Sequence, residues 1–265
     1  MSMANFRYLT GRALTLWKRS RLVADVLARR LLFRLLASPQ VLSLNESLSA
    51  KPLSPKLTDK LVVLAPHSDD ESIGCGGLLA QFAGQLSVVC LTNGAKGDPT
   101  LPRAVLIETR EQELRAAMQL AGVRQVSFLG VEDQTLGEDQ QRFAQLDLSF
   151  ADWIFIPNFL DQHPDHKAVT TQLQGLLRER GYQPNLKIAF YEIWGTLPVW
   201  NAYVELTPEL WQQKQAMIAC FKSQIKHIDY ASRIHGLHVY RGIAVGKGAV
   251  EAYLVLDVED FLAIA

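Results

Sequence analysis

Apolar residues along this chain fall into two alternating patterns. Short continuous runs, Leu61 to Pro66, Leu86 to Leu91, Val126 to Leu129, Trp153 to Pro157 and Lys187 to Ile193, have the length of strands buried on both faces. Between them lie stretches with apolar residues three and four apart. Pro102 to Ala121 is the clearest, with Val105, Leu106, Thr109, Leu114, Ala117, Met118 and Ala121 spaced by threes and fours and Gly122 where a helix C-terminus wants glycine. Helices are also predicted over Gly74 to Gly84, from His166 to about Arg180, and over Pro208 to Phe221, with a last strand at Val250 to Leu256. His227 to Arg241 reads as irregular, and Arg241, Gly242 and Gly246 as a loop that could close as a lid. Strand and helix in alternation predict an α/β fold: a Rossmann-like three-layer sandwich around a mostly parallel sheet.

The pattern before residue 58 is different. From Arg7 to Arg34 there are eight basic residues against one acid, Asp25, interleaved with leucines, valines and Trp17. Arginines interrupt every apolar run before it reaches the roughly 20 residues of a spanning helix, and no clean signal-peptide core is present. Residues 1–57 therefore read as an amphipathic helical arm and connector, and 58–265 as the domain. The arm's helix, 14–36, suits either peripheral contact with a membrane surface or packing on its own domain or a second subunit.

Composition narrows the function classes. The chain has 265 residues, 48% of them hydrophobic, enough for one large core. Its 27 basic residues balance its 27 acidic ones, giving no electrostatic reason to expect a nucleic acid. Three cysteines without a CxxC fit a reduced, cytoplasmic protein, held at the inner face of the membrane if the arm binds there, and exclude a structural zinc finger. No GxGxxG or GxxxxGK is present, and GCGG follows an acidic cluster that would repel a phosphate.

Two dense clusters carry the chemistry, each at the carboxyl end of a predicted strand, where open α/β sheets keep their sites. The first is His67, Asp69, Asp70 and Glu71; the second is Asp161, His163, Asp165 and His166. Gathering so many ionisable groups is costly unless a metal or a reaction uses them. His67, Asp70 and His166 form a two-histidine, one-carboxylate set that leaves a position open, the donor count of a catalytic Zn2+ site, although other first-row metals accept it. Asp69 is the candidate general base. His163 is the candidate acid and oxyanion donor, with Asp165 as its orienter.

These residues resemble a known family, the LmbE-like, PIG-L-type zinc-dependent de-N-acetylases. Its first motif is matched by His67, Asp69, Asp70, Glu71, Gly74, Gly76 and Gly77, with Ser68 where the family often has proline. Its second, His-Pro-Asp-His, is matched in full by His163 to His166. Thr92 to Gly94, Arg110 with Glu113, Ser223 with Gln224, and Glu251 to Tyr253 resemble further family segments. The resemblance implies the same ligand, base and acid assignments, an arginine, Arg110, that contacts substrate, and removal of an N-acetyl group from a glucosamine-type sugar, free or lipid-linked. Tyr191 and Glu192, at the end of a strand, are further substrate-binding candidates, and Tyr191, Trp194, Trp200 and Tyr203 could form a sugar-stacking wall. An amidase acting on a thiol conjugate or other non-sugar amide, and a non-enzymatic membrane-tethered binding module, stand as alternatives. Oligomeric state is not legible in the sequence.

Overall fold

The computed structural model describes residues 50–226 and 228–264. The arm expected at 14–36 lies outside them.

In chain order the elements are β1 (Lys51–Pro52), β2 (Leu61–Ala65), α1 (Asp70–Phe82), β3 (Leu86–Thr92), α2 (Arg103–Ala121), β4 (Gln125–Val131), α3 (Gln140–Phe143), β5 (Trp153–Pro157), α4 (Pro164–Arg180), β6 (Lys187–Tyr191), β7 (Ala202–Glu205), α5 (Pro208–Ile218), α6 (Lys222–Ile225), α7 (Tyr230–Ile243), β8 (Val250–Asp257) and α8 (Val258–Leu262). The strands form one sheet in the order β1-β7-β8-β6-β5-β2-β3-β4. Pairing is parallel throughout except where β8 lies antiparallel between β6 and β7.

β2 lies between β5 and β3, with Leu61 to Ala65 wholly inaccessible. Its residues alternate between two cores, which is why it reads as an unbroken apolar run. Leu61 and Val63 pack with Leu78 and Leu79 of α1 and Leu114 and Met118 of α2. Val62 and Leu64 pack with Val169, Leu173 and Leu177 of α4 on the opposite face. Each such side chain contributes roughly 1.5–3 kcal/mol by burial, and helices on both faces give the expected three layers. From β2 the chain moves outward through β3 to β4, then returns to lay β5 on the other side of β2. The reversal between β2 and β5 is the switch point, where their carboxyl ends splay to leave a crevice.

Several boundaries differ from those predicted. α1 starts at Asp70 rather than Gly74, and Cys75 inside it has non-helical angles (φ −128°, ψ 17°), so its first turn is set off from the rest. The glycines there serve packing: a side chain on Gly74 would collide with the Tyr191 ring, and one on Gly76 with Lys214. Residues 51–53, expected in the connector, join the sheet: β1 pairs with β7, and the Leu53 N–H donates to the Tyr203 carbonyl at 2.7 Å. The segment expected to be irregular contains α7, capped by Asp229, whose Oδ1 accepts the Ser232 N–H at 3.0 Å. Ile234, His238 and Gly242, four apart, are its buried face, a stripe that its glycines and histidine hid. The lid reading fails with it, because Arg241 and Gly242 lie inside that helix.

Candidate active site

Everything at the crevice starts from how β2 ends. The Thr92 N–H and Oγ1 both donate to the Pro66 carbonyl, at 2.9 and 2.8 Å, fixing the point where the chain leaves the sheet. The His67 N–H donates to Asp70 Oδ2 at 2.9 Å, closing a tight turn. Asp69 takes φ 144°, a conformation rare for a residue with a side chain and found where surroundings over-determine it. Those surroundings are explicit. Glu71 Oε2 accepts the Asp69 N–H at 3.1 Å, the Asp69 carbonyl accepts from Ser72 and Ile73, and the Arg110 guanidinium reaches Asp69 Oδ1 at 3.3 Å and the Ser68 carbonyl at 2.8 Å. Burial pushes the Glu71 carboxyl up to about 8.

The second half comes from β5. Pro164 takes the first helical position of α4, as its fixed φ favours. His163 is the residue before it, its Nδ1 accepting the Asp165 N–H at 3.3 Å. In the neutral imidazole the proton therefore sits on Nε2. His166, one turn in, is wholly buried.

The two halves meet at one carboxylate oxygen: Asp70 Oδ2 lies 3.2 Å from His67 Nδ1 and 3.2 Å from His166 Nε2. The outer nitrogens of both rings also face carboxylates. His67 Nε2 is 3.1 Å from Asp165 Oδ2 and 3.4 Å from Asp133 Oδ1, and His166 Nδ1 is 3.2 Å from Asp161 Oδ2. Donor atoms of His67, His163 and His166 lie within 4.8 Å of one another, as do those of His67, Asp133 and Asp165. Both nitrogens of His166, though close to carboxylates, lack an aligned hydrogen bond.

Five aspartates, Asp69, Asp70, Asp133, Asp161 and Asp165, share this buried region with the buried Arg110, and Lys96 also lines the cavity. Burial alone would lower the pKa of the imidazoles, but the carboxylates overcome it, holding His67 well above the ordinary value and lifting His166 to about 9. Despite burial, His166 and His67 hold Asp70 well below the carboxylate range. Burial, with Asp70 beside it, pushes Asp69 up to about 7 against the pull of Arg110. The arrangement has negative charge in excess and unsatisfied nitrogens at its middle, and both conditions fit a divalent cation.

The other predicted residues separate. Arg110 lines the cavity, but its guanidinium is committed to Asp69 and backbone carbonyls. Asp165 is not the orienter of the His163 ring: its carboxylate lies on His67 and accepts the Gln134 and Leu136 N–H groups, and only its own N–H meets His163. Tyr191 is absent from the cavity wall. It faces the α1 side of the sheet, fully buried, and donates to the Leu64 carbonyl at 2.9 Å. Glu192 is buried and ion-paired with Arg241. Of the suggested aromatic wall only Trp194 lines the cavity, together with Gln224 of the segment that resembles the family's and with Tyr230, Lys96 and Gln134, which sequence reasoning passed over. Asp133 was also missed, although its place just after β4 obeys the carboxyl-end rule that found the rest.

A family model described as GlcNAc-PI de-N-acetylase, PIG-L, matches residues 62–174. Over this segment the chain is similar to the PIG-L family. It contains both motifs and all five aspartates, whereas Trp194, Gln224 and Tyr230 at the rim lie beyond it. A probable N-acetyl-α-D-glucosaminyl L-malate deacetylase 2 of Bacillus anthracis is 30% identical over 125 residues, 41% of this chain and 54% of that protein. A second, from Bacillus subtilis, is 31% identical over 128 residues, 42% and 58% of the two chains. The chain thus spans little more than half the length of these curated relatives. Among solved structures, N,N′-diacetylchitobiose deacetylase from Pyrococcus horikoshii has a TM-score of 0.65 at 22% identity, covering 75% of this chain and 84% of its own. GalB, a 4-carboxy-2-hydroxymuconate hydratase from Pseudomonas putida, scores 0.56 at 19%, covering 75% and 96%. At such identities the likeness is one of fold. Among the described residues no helix is long and apolar enough to cross a membrane.

Proposed function

We propose that the chain is a metal-dependent hydrolase that removes the N-acetyl group from an amino-sugar derivative. The observation that carries this is the convergence of His67 Nδ1 and His166 Nε2 on one Asp70 oxygen inside a PIG-L segment, with Asp69 beside it. The fold alone does not choose the reaction, since a hydratase shares it. The relatives' names and the base and acid on either side of the open position favour an amide.

His67, Asp70 and His166 would hold the ion, which the donor set suggests is zinc. When bound it supplies a Lewis acid and a water acidic enough to react near neutral pH. Asp69 accepts the proton of the attacking water as its oxygen adds to the acetyl carbonyl. Arg110 keeps that carboxylate turned inward. His163, with its Nδ1 filled by the Asp165 N–H, presents Nε2–H to the oxyanion, and the proton that Asp69 took from the water passes to the departing nitrogen. The C–N bond breaks, leaving acetate and a free amine. Asp133 and Asp165 on His67, and Asp161 on His166, are the outer carboxylates that fix ligand rings.

Metal content of the purified protein, measured with acetate release from a panel of N-acetylglucosamine derivatives, tests the reading. About one ion per chain with acetate from at least one sugar is expected. A metal-loaded protein that cleaves no sugar but does cleave a thiol-conjugated amide would replace it with the amidase reading. We place the chain in the cytoplasm, from its free cysteines, and infer a lipid-linked substrate from the basic arm. Deleting residues 1–49 should abolish binding to anionic vesicles and spare turnover of a soluble substrate; unchanged vesicle binding would remove the membrane part alone.

A further inference from the structure

We propose that Trp194, backed edge-on by Tyr230, forms a fixed aromatic platform for the pyranose ring of the substrate, held in place by Arg241 as a positioning residue. This rests on the amino-sugar reading above. The cavity at the metal-binding cluster is small, about 140 Å³, against roughly 300–1,000 Å³ for sites that engulf a ligand. It has room for an acetamido group, so the ring to which that group is attached lies at the mouth. Its lining has two kinds of surface. Tyr230 packs against Trp194 and Ile73 as an apolar group, while Lys96, with Gln134 beside it, and Gln224 supply polar ends. A pyranose has the same division, with C–H faces that stack on aromatic rings and hydroxyls around its rim.

Trp194 is 51% exposed while lining the cavity, so part of its indole is open to a ligand there. Its ring sits 5.5 Å from that of Tyr230 at 66° between planes, and Tyr230 packs on the cluster containing Ile73 and Ile193. The loop 192–197 that carries it is pinned at both ends and at its tip. Glu192 Oε1 accepts the Leu197 N–H at 2.5 Å, and Arg241 bonds both the Glu192 carboxylate and the Leu197 carbonyl, closing the base. Asp161 Oδ2 accepts the N–H groups of Trp194 and Gly195 at 3.0 and 3.2 Å, and Asn158 donates to the Gly195 carbonyl. Gly195 lies so close to Asp161 that a Cβ would stand 2.9 Å from its Cα. Loops of this kind are ordinarily the adaptable part of a surface. Here Asp161, the carboxylate behind His166, also sets the loop that presents Trp194, so ring and reacting centre share one support.

The test uses the zinc-loaded full chain, with the N-acetylglucosamine derivative it hydrolyses best and N-acetylethanolamine, an amide without a ring. Trp194→Ala should raise KM on the sugar by about tenfold or more, with kcat within about twofold, metal content unchanged and the ring-free amide unaffected. Trp194→Phe should stay within about threefold of wild type. Arg241→Met should raise KM in the wild-type background and add nothing in Trp194→Ala. An unchanged sugar KM in Trp194→Ala, or equal loss on both substrates, overturns the proposal. If the wild type cleaves no sugar, the functional reading fails, and saturation-transfer NMR with N-acetylglucosamine then decides on the platform. Binding by wild type that is lost in Trp194→Ala supports it; no binding, or equal binding by both, overturns it.

Discussion

The first turns of α1 touch two buried polar clusters built from the same residue types. In one, Lys214 and Glu251 are fully enclosed. The three ammonium protons of Lys214 go to the Ile73 carbonyl at 2.6 Å, Glu251 Oε1 at 2.6 Å and His238 Nε2 at 2.9 Å. Glu251 accepts in addition from the N–H groups of Gly77 and Leu78 and from the Tyr253 hydroxyl. Ile73 and Gly77 are the i, i+4 pair spanning the non-helical Cys75, so the ion pair supplies partners where the helix breaks. One positive charge meets one negative charge, with every lone pair and proton of the ion pair accounted for and, among the described atoms of this cluster, the outer His238 Nδ1 left without a partner. In the other cluster five aspartates crowd two histidines and an arginine, and both His166 nitrogens lack aligned partners. A buried ion pair is tolerable when its hydrogen bonds close. The closed cluster is therefore architecture, and the open one has the charge and donor atoms that a cation fits.

The most severe way to break this contrast is to remove a ligand. His166→Ala should abolish stoichiometric metal binding and lower activity by about a thousandfold or more; full metal content in that variant would refute the ligand assignment. Asp69→Asn should keep the metal and lose about 10²–10⁴ in kcat, the usual value of a general base. Metal loss in Asp69→Asn would mean that the base and ligand roles are misassigned.

Breaking the closed cluster should cost stability instead. Lys214→Met leaves Glu251 charged and unpaired in the interior, worth about 3–5 kcal/mol of unfolding free energy in urea titrations. The double variant Lys214→Met/Glu251→Gln removes both charges and should recover more than half of that loss. If the single and double variants are equally destabilised, the pair matters for its shape and not its charge.

How much of this was legible in the sequence follows from the same physics. β2 and β5 were readable because strands buried on both faces are continuous apolar runs, and their histidine and acid tails were readable because chemistry collects at carboxyl ends. β1 and β7, with two and four residues, are too short for any periodicity. Tyr191 was misplaced because strand-end position is not enough: alternation puts it on the same face as Ala189, toward α1. Asp133 and Asp161 act through another residue's ring, and nothing in spacing along the chain announces a contact across strands. Lys214 sits on α5 like any surface lysine until Glu251, 37 residues later, folds over it.

The smallest effect would sharpen the closed cluster by pH. Burial and the Lys214 ammonium, with His235 adding to them, hold His238 well below the ordinary histidine pKa, so the folded protein keeps it neutral. The unfolded chain takes up a proton at this residue as pH falls through about 6.5, and the folded one does not. Unfolding is therefore favoured on acidification, by up to about 1.4 kcal/mol per pH unit between 6.5 and the depressed folded value. Above 6.5 the residue contributes no pH dependence. His67 and His166 are raised, not lowered, and act in the opposite sense, so the whole-protein profile mixes the two clusters. The difference between wild type and His238→Gln isolates one of them: glutamine still offers Lys214 an acceptor but cannot be protonated. Stability of wild type relative to the variant should fall between pH 6.5 and 5.5 and stay flat from pH 7 to 8. A flat difference across the whole range would mean that His238 is already charged against Lys214, and that the closed cluster is not closed.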